Sequence, residues 1–118
     1  MTSTTSFWTT APRLLYAAVL LCLCAGAYAQ QPARRPELPP AEYDRPYTGH
    51  LIEDTYERVD AIRYHCLQPE SKLIACAFPA KIVCHIILPS RDLAWRRGYR
   101  LPDIRRHEIA HCNGWKHK

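Results

Sequence analysis

Four cysteines set the strongest limit on how this chain can fold. Cys66, Cys76, Cys84 and Cys112 lie in the second half of a 118-residue sequence. Two others, Cys22 and Cys24, sit in an apolar run, Leu14 to Cys24, that follows the single charge of Arg13. That run falls short of the ~20 residues of a membrane span. Ala27-Tyr28-Ala29 then supplies the small-x-small pattern that signal peptidase cuts. Residues 1–29 therefore read as a secretory signal peptide, and cleavage after Ala29 leaves 89 residues with four cysteines. A chain of that length supports one domain with a modest core, and small exported domains are stapled. An even cysteine count in an oxidising compartment favours two disulfides over free thiols. Four cysteines allow three connectivities, and the sequence does not decide among them. The pairing adopted here is Cys66–Cys76, closing a local loop, with Cys84–Cys112, tying a strand to the last helix. The implied location is secreted or periplasmic, with no stable membrane anchor after cleavage.

Charge divides the mature chain. Residues 30–70 hold five basic and eight acidic side chains, whereas residues 71–118 hold ten basic and three acidic. A basic face follows, but without aromatic residues interleaved in a basic array no nucleic acid is expected as a partner. From residue 30 to 46 the sequence is "QQPARRPELPPAEYDRP". So little aliphatic content cannot offset the entropy of ordering, which predicts a disordered Pro-rich leader over 30–46. The folded domain is expected over 47–118.

Within it, Leu51, Ile52, Tyr56, Val59 and Ile62 fall at mostly helical spacing, although Val59 to Cys66 also suits an extended strand. Lys72–Phe78 and Lys81–Leu88 are β-rich and flank Pro79-Ala80, which predicts a hairpin. Alternation puts Cys84, Ile86 and Leu88 on one face. Ser90 is placed to cap a short helix that Gly98 ends. A further helix is expected over 102–112, opened by Pro102 and Asp103 and stopped by Asn113-Gly114. The fold class is thus α+β: a small disulfide-stapled domain with a short antiparallel hairpin or sheet packed on the last helix.

That helix carries the chemistry. His107 and His111, four residues apart, project from one face and can share a metal ion. Glu108 lies about 100° round the helix from His107, beside such an ion, where it suits a general base. Gly114 can turn the chain sharply through positive φ, which would return His117 as a third ligand. Three protein ligands leave one position open, as a catalytic zinc requires. His85, His50, Asp103 and the terminal carboxylate are the reserve donors. Cys112 points away from the site and reads as a disulfide partner. The adjacent pairs His65-Cys66, Cys84-His85 and His111-Cys112 lack the close paired spacing of a zinc finger.

His107-Glu108-x-x-His111-x-x-Gly114-x-x-His117 resembles the extended motif of metzincin zinc peptidases. The resemblance covers these eleven residues and implies an exported zincin-like metallopeptidase domain over 47–118. It implies Zn²⁺ on His107, His111 and His117, with Glu108 catalytic and a peptide or protein as substrate. In that family an edge strand before the active helix holds extended substrate by strand addition, and "KIVCHIILPS" is similar in position and character. The family's methionine turn has no counterpart, since only Lys118 follows His117 and Met1 is the sole methionine. The alternative reading is a non-catalytic exported zinc-binding or protein-interaction module that keeps the helix.

Overall fold

A computed structural model of the chain describes residues 34–118; the signal-peptide assignment falls outside them. In chain order the elements are β1 (His50–Tyr56), α1 (Val59–His65), β2 (Cys76–Pro79), β3 (Val83–Pro89), α2 (Arg91–Arg96) and α3 (Leu101–Cys112). They make a small α+β domain with a three-stranded mixed sheet in the order β1-β3-β2. The expected hairpin is present: β2 runs antiparallel to β3, with Phe78 opposite His85.

The segment before it differs from expectation. His50 to Tyr56 is a strand, parallel to β3 in the register Leu51 opposite Cys84. The helix begins only at Val59. Leu51 and Tyr56 are five residues apart, so on a strand they face opposite sides of the sheet. Each packs on a different core cluster, an arrangement that one helix face could not provide. Val59, Ile62 and Cys66 keep the helical spacing and share one cluster.

β3 is the spine of the domain. Cys84, Ile86 and Leu88 are buried on the side that also holds Ile104 and Cys112 of α3. Ile87 points the other way, to Val59 and Ile62 of α1 and Leu93 of α2. The sheet is therefore covered on both faces, and each face is stapled. Cys66–Cys76 joins the end of α1 to β2, and Cys84–Cys112 joins β3 to the last residue of α3. Two disulfides in so small a domain fit an oxidising, extracytoplasmic compartment. Among the described residues no helix is long and apolar enough to cross a membrane.

Two other sequence expectations change. The strand expected to offer a free edge to substrate, β3, is the central strand, paired on both sides. The exposed edges belong to β1 and β2 instead. Residues 34–46 also depart from the expected disordered leader. Arg34 forms an isolated bridge with Tyr99, Pro39 is buried, and Pro40 closes a turn with Tyr43 and Asp44. Asp44 pairs with Arg106, and Asn113 Nδ2 donates to the carbonyls of Tyr43 and Arg45. Polar anchoring to α3 orders this segment where its own apolar content would not.

Candidate metal centre

α3 is built to end where the sequence says it should. Pro102 occupies its first turn and Asp103 complements the dipole there. At the other end the Gly114 N–H donates to the His111 carbonyl and the Trp115 N–H to the Ala110 carbonyl. Gly114 has φ +101°. This is the two-bond Schellman ending, which requires a left-handed residue and therefore favours glycine. The reversal carries Trp115 back onto the helix, where its ring stacks on His111 with centroids 4.9 Å apart. His117 follows, 4.8 Å from His111 and 5.1 Å from His107 between ring centroids.

The three histidines converge. His107, His111 and His117 each offer a nitrogen, and the three nitrogens lie within 4.8 Å of one another. Every ring is held through Nδ1. That of His107 donates to the Glu37 carbonyl at 2.8 Å, that of His111 to the Trp115 carbonyl at 2.8 Å, and that of His117 to the Glu37 carboxylate at 2.9 Å. These partners are oxygen acceptors, so Nδ1 is the protonated nitrogen and Nε2 carries the lone pair. Such an outer oxygen fixing tautomer and ring orientation is the usual support of a histidine ligand.

The inner edge shows why a cation fits. His107 Nε2 and His111 Nε2 stand 3.2 Å apart. With both Nδ1 atoms protonated, two lone pairs face each other with no proton between them unless one ring is charged. Charging is opposed at His107, whose pKa burial lowers, only partly offset by the Glu37 carbonyl and further reduced by the neighbouring histidines. Two nitrogens bound to one tetrahedral zinc at ~2.05 Å would be about 3.3 Å apart. The pair thus has ligand spacing, and the triad can hold a metal ion.

Glu108 sits next to this triad, 6 % exposed. Burial alone raises its pKa from 4.5 to about 8. It lines, together with all three histidines, a cavity of about 730 Å³ whose lining also includes Ile74 to Ala77, the approach to β2 and its first two residues. That volume is of small-ligand or short-peptide size. The other sequence candidates lie elsewhere. His50 opens β1 and is exposed, and His65 stacks on Tyr56. His85 pairs with Asp54 at 2.8 Å, and Asp103 is drawn toward Arg100 at 3.9 Å. Cys84 and Cys112 are consumed in a disulfide.

Sequence reasoning missed Glu37, which supports two of the three rings from 70 and 80 residues away. Nothing in its Pro-rich surroundings signals that role. No protein-family model, curated protein or solved structure matches the chain, so the functional reading rests on the site itself.

Proposed function

We propose that the protein is an exported zinc-dependent metallopeptidase, with His107, His111 and His117 as zinc ligands and Glu108 as general base. The observation that carries this reading is the meeting of three histidine rings, with nitrogens within 4.8 Å of one another, and a buried carboxylate in one cavity. Three neutral imidazoles suit zinc, which accepts nitrogen donors in a tetrahedral set with one position left open. Zinc bound there would supply Lewis acidity and lower the pKa of water in the cavity.

The remaining steps belong to the chain. Glu108 removes a proton from the attacking water as its oxygen adds to the peptide carbonyl. The same carboxyl then delivers that proton to the amine nitrogen as the C–N bond breaks. To take the proton Glu108 must be ionised; burial favours its neutral acid in the metal-free protein, and zinc beside it would favour the carboxylate that the step requires. The exposed edge of β2 beside the cavity, rather than β3, is where an extended peptide would lie.

A second reading, a non-catalytic zinc-binding or interaction module, draws on the burial of Glu108, which leaves the carboxyl little room for water. The test is zinc content by mass spectrometry of the exported protein, with cleavage of a mixed peptide library by wild type and Glu108→Gln. The metallopeptidase reading expects one zinc per chain in both proteins and a loss of cleavage of roughly 100-fold or more in the variant. Zinc without cleavage selects the second reading. Less than stoichiometric zinc overturns both.

A further inference from the structure

The cavity of the histidines has other side chains to which hydrolysis gives no role. Arg34, Arg63, Lys72 and Arg97 line it from four separate parts of the chain: the N-terminal segment, α1, the approach to β2 and the end of α2. Among the described residues none of the four has a carboxylate within 4.0 Å. Arg105 and Arg106 of α3, which do not line the cavity, are by contrast held by Glu53 and Asp44. The cavity's own carboxylates do not balance its cations. Two carboxylates, Glu37 and Glu108, face four cations there; Glu37 is engaged with His117, and Glu108 is buried.

Arg63 is the most telling of the four. Its Nε is buried and has no hydrogen-bond partner among the described residues. Leaving a buried charged donor unmade is costly, so the Arg63 guanidinium gains by turning toward an acceptor that enters the cavity. The guanidinium fork matches a carboxylate at two points. Lys72, Arg34 and Arg97 are exposed and add attraction over a longer range. Peptides offer this anion in two forms: the carboxylate of a free C-terminus and that of an Asp or Glu side chain.

We propose that the cavity recognises its peptide by a carboxylate seated on Arg63, with Arg34, Lys72 and Arg97 drawing it in, so that the substrates are peptides that present a carboxylate from the chain end or a side chain. The word substrate rests on the metallopeptidase reading; the recognition of the carboxylate does not.

The test separates the two. Binding of fluorophore-labelled peptides to the zinc-loaded Glu108→Gln protein is measured by anisotropy, and their hydrolysis by wild type in parallel. Three peptides of one length are used: one with a free C-terminus and neutral side chains, one amidated with a central Glu, and one amidated and neutral throughout. At least one carboxylate-bearing peptide should bind about tenfold or more tightly than the neutral one. Arg63→Gln in the same background should erase that difference while leaving the neutral peptide's affinity unchanged. Lys72→Gln, an exposed change, should reduce it by a smaller factor and guards against misfolding of the Arg63 variant.

A preference for the free C-terminus assigns the carboxylate to the chain end; a preference for the Glu peptide assigns it to a side chain. Equal binding of all three peptides overturns the proposal, even if all three are cleaved. Preferential binding with no cleavage upholds carboxylate recognition and overturns the peptidase reading.

Discussion

The imidazole of His117 donates from Nδ1 to a carboxylate oxygen of Glu37 at 2.9 Å, and the main-chain carbonyl of the same Glu37 receives His107 Nδ1 at 2.8 Å. One residue of the N-terminal segment therefore orients two of the three rings, by two different groups. Glu37→Ala removes the carboxylate and keeps the carbonyl, so His107 stays fixed and His117 alone is released. Zinc affinity, measured by competition with a chromophoric chelator, should fall roughly 10- to 100-fold, the usual effect of losing an outer-shell partner. Thermal stability of the zinc-free protein should be almost unchanged, because the lost contact is exposed. Unaltered zinc affinity would show that His117 is not held through Glu37.

How much of this was legible in the sequence depends on how local each cause is. The histidine-bearing helix α3, its Pro102 start and its Gly114 stop are set by residues within a turn of the ends they make. Both disulfides agree with the adopted pairing, which the sequence left open among three; alternation placed Cys84 on a buried face, and only the fold brings Cys112 to it. β1 was not legible: Leu51, Ile52 and Tyr56 suit a helix by spacing, and only the parallel partner β3, some thirty residues on, selects the strand. The same partner makes β3 central and denies it a free edge. Glu37 was hidden for a related reason. Its acceptors serve rings at the far end of the chain, and its Pro-rich neighbours argue only for absence of order.

Gly114 offers a cleaner test of the third ligand than deletion of His117. A Cβ at this position would meet nothing nearer than Tyr43 Cε1 at 3.9 Å. The cost of Gly114→Ala is therefore conformational, about 1–2 kcal/mol for holding a left-handed φ. Urea unfolding should register that loss. Zinc affinity should fall by a larger factor than His50→Ala, a distant control, because relaxing the turn withdraws His117 and the Trp115 carbonyl together. Retained zinc affinity would mean that the turn does not position the third ring.

The Cys84–Cys112 bridge fastens the C-terminal end of α3 to the spine of the sheet, one residue beyond His111. With 28 residues separating its ends, replacing both cysteines by alanine should cost about 3–4 kcal/mol in the chain-entropy account. Denaturant unfolding of the zinc-free protein measures it. Zinc affinity should fall as well, since unlatching α3 loosens the residue next to a ligand. The Cys66–Cys76 double alanine should cost about 3 kcal/mol, with a smaller effect on zinc because neither cysteine adjoins a histidine of the triad. If the two variants lost zinc equally, the first bridge would have no special bearing on the site.

Stability of the zinc-free protein should depend on pH in a direction fixed by Glu108. Its carboxyl has a folded pKa of about 8 against an ordinary 4.5, and the cause is burial. Between those values the folded state holds a proton that the unfolded state has released. Stability is then highest at the acid end of this window and declines as pH rises toward 8. The full shift corresponds to roughly 5 kcal/mol. His107 acts in the opposite direction on the acid side. Its pKa is lowered from 6.5 by burial, so the unfolded state gains its proton first and stability falls as pH drops below 6.5. Glu108→Gln keeps the shape of the side chain without the titration. Urea midpoints followed across the window should decline with rising pH in wild type and stay nearly level in the variant above 6.5. Adding zinc should flatten the wild-type profile too, because a neighbouring cation favours the ionised carboxylate. Parallel profiles for wild type and Glu108→Gln would mean that Glu108 is not buried as a neutral acid.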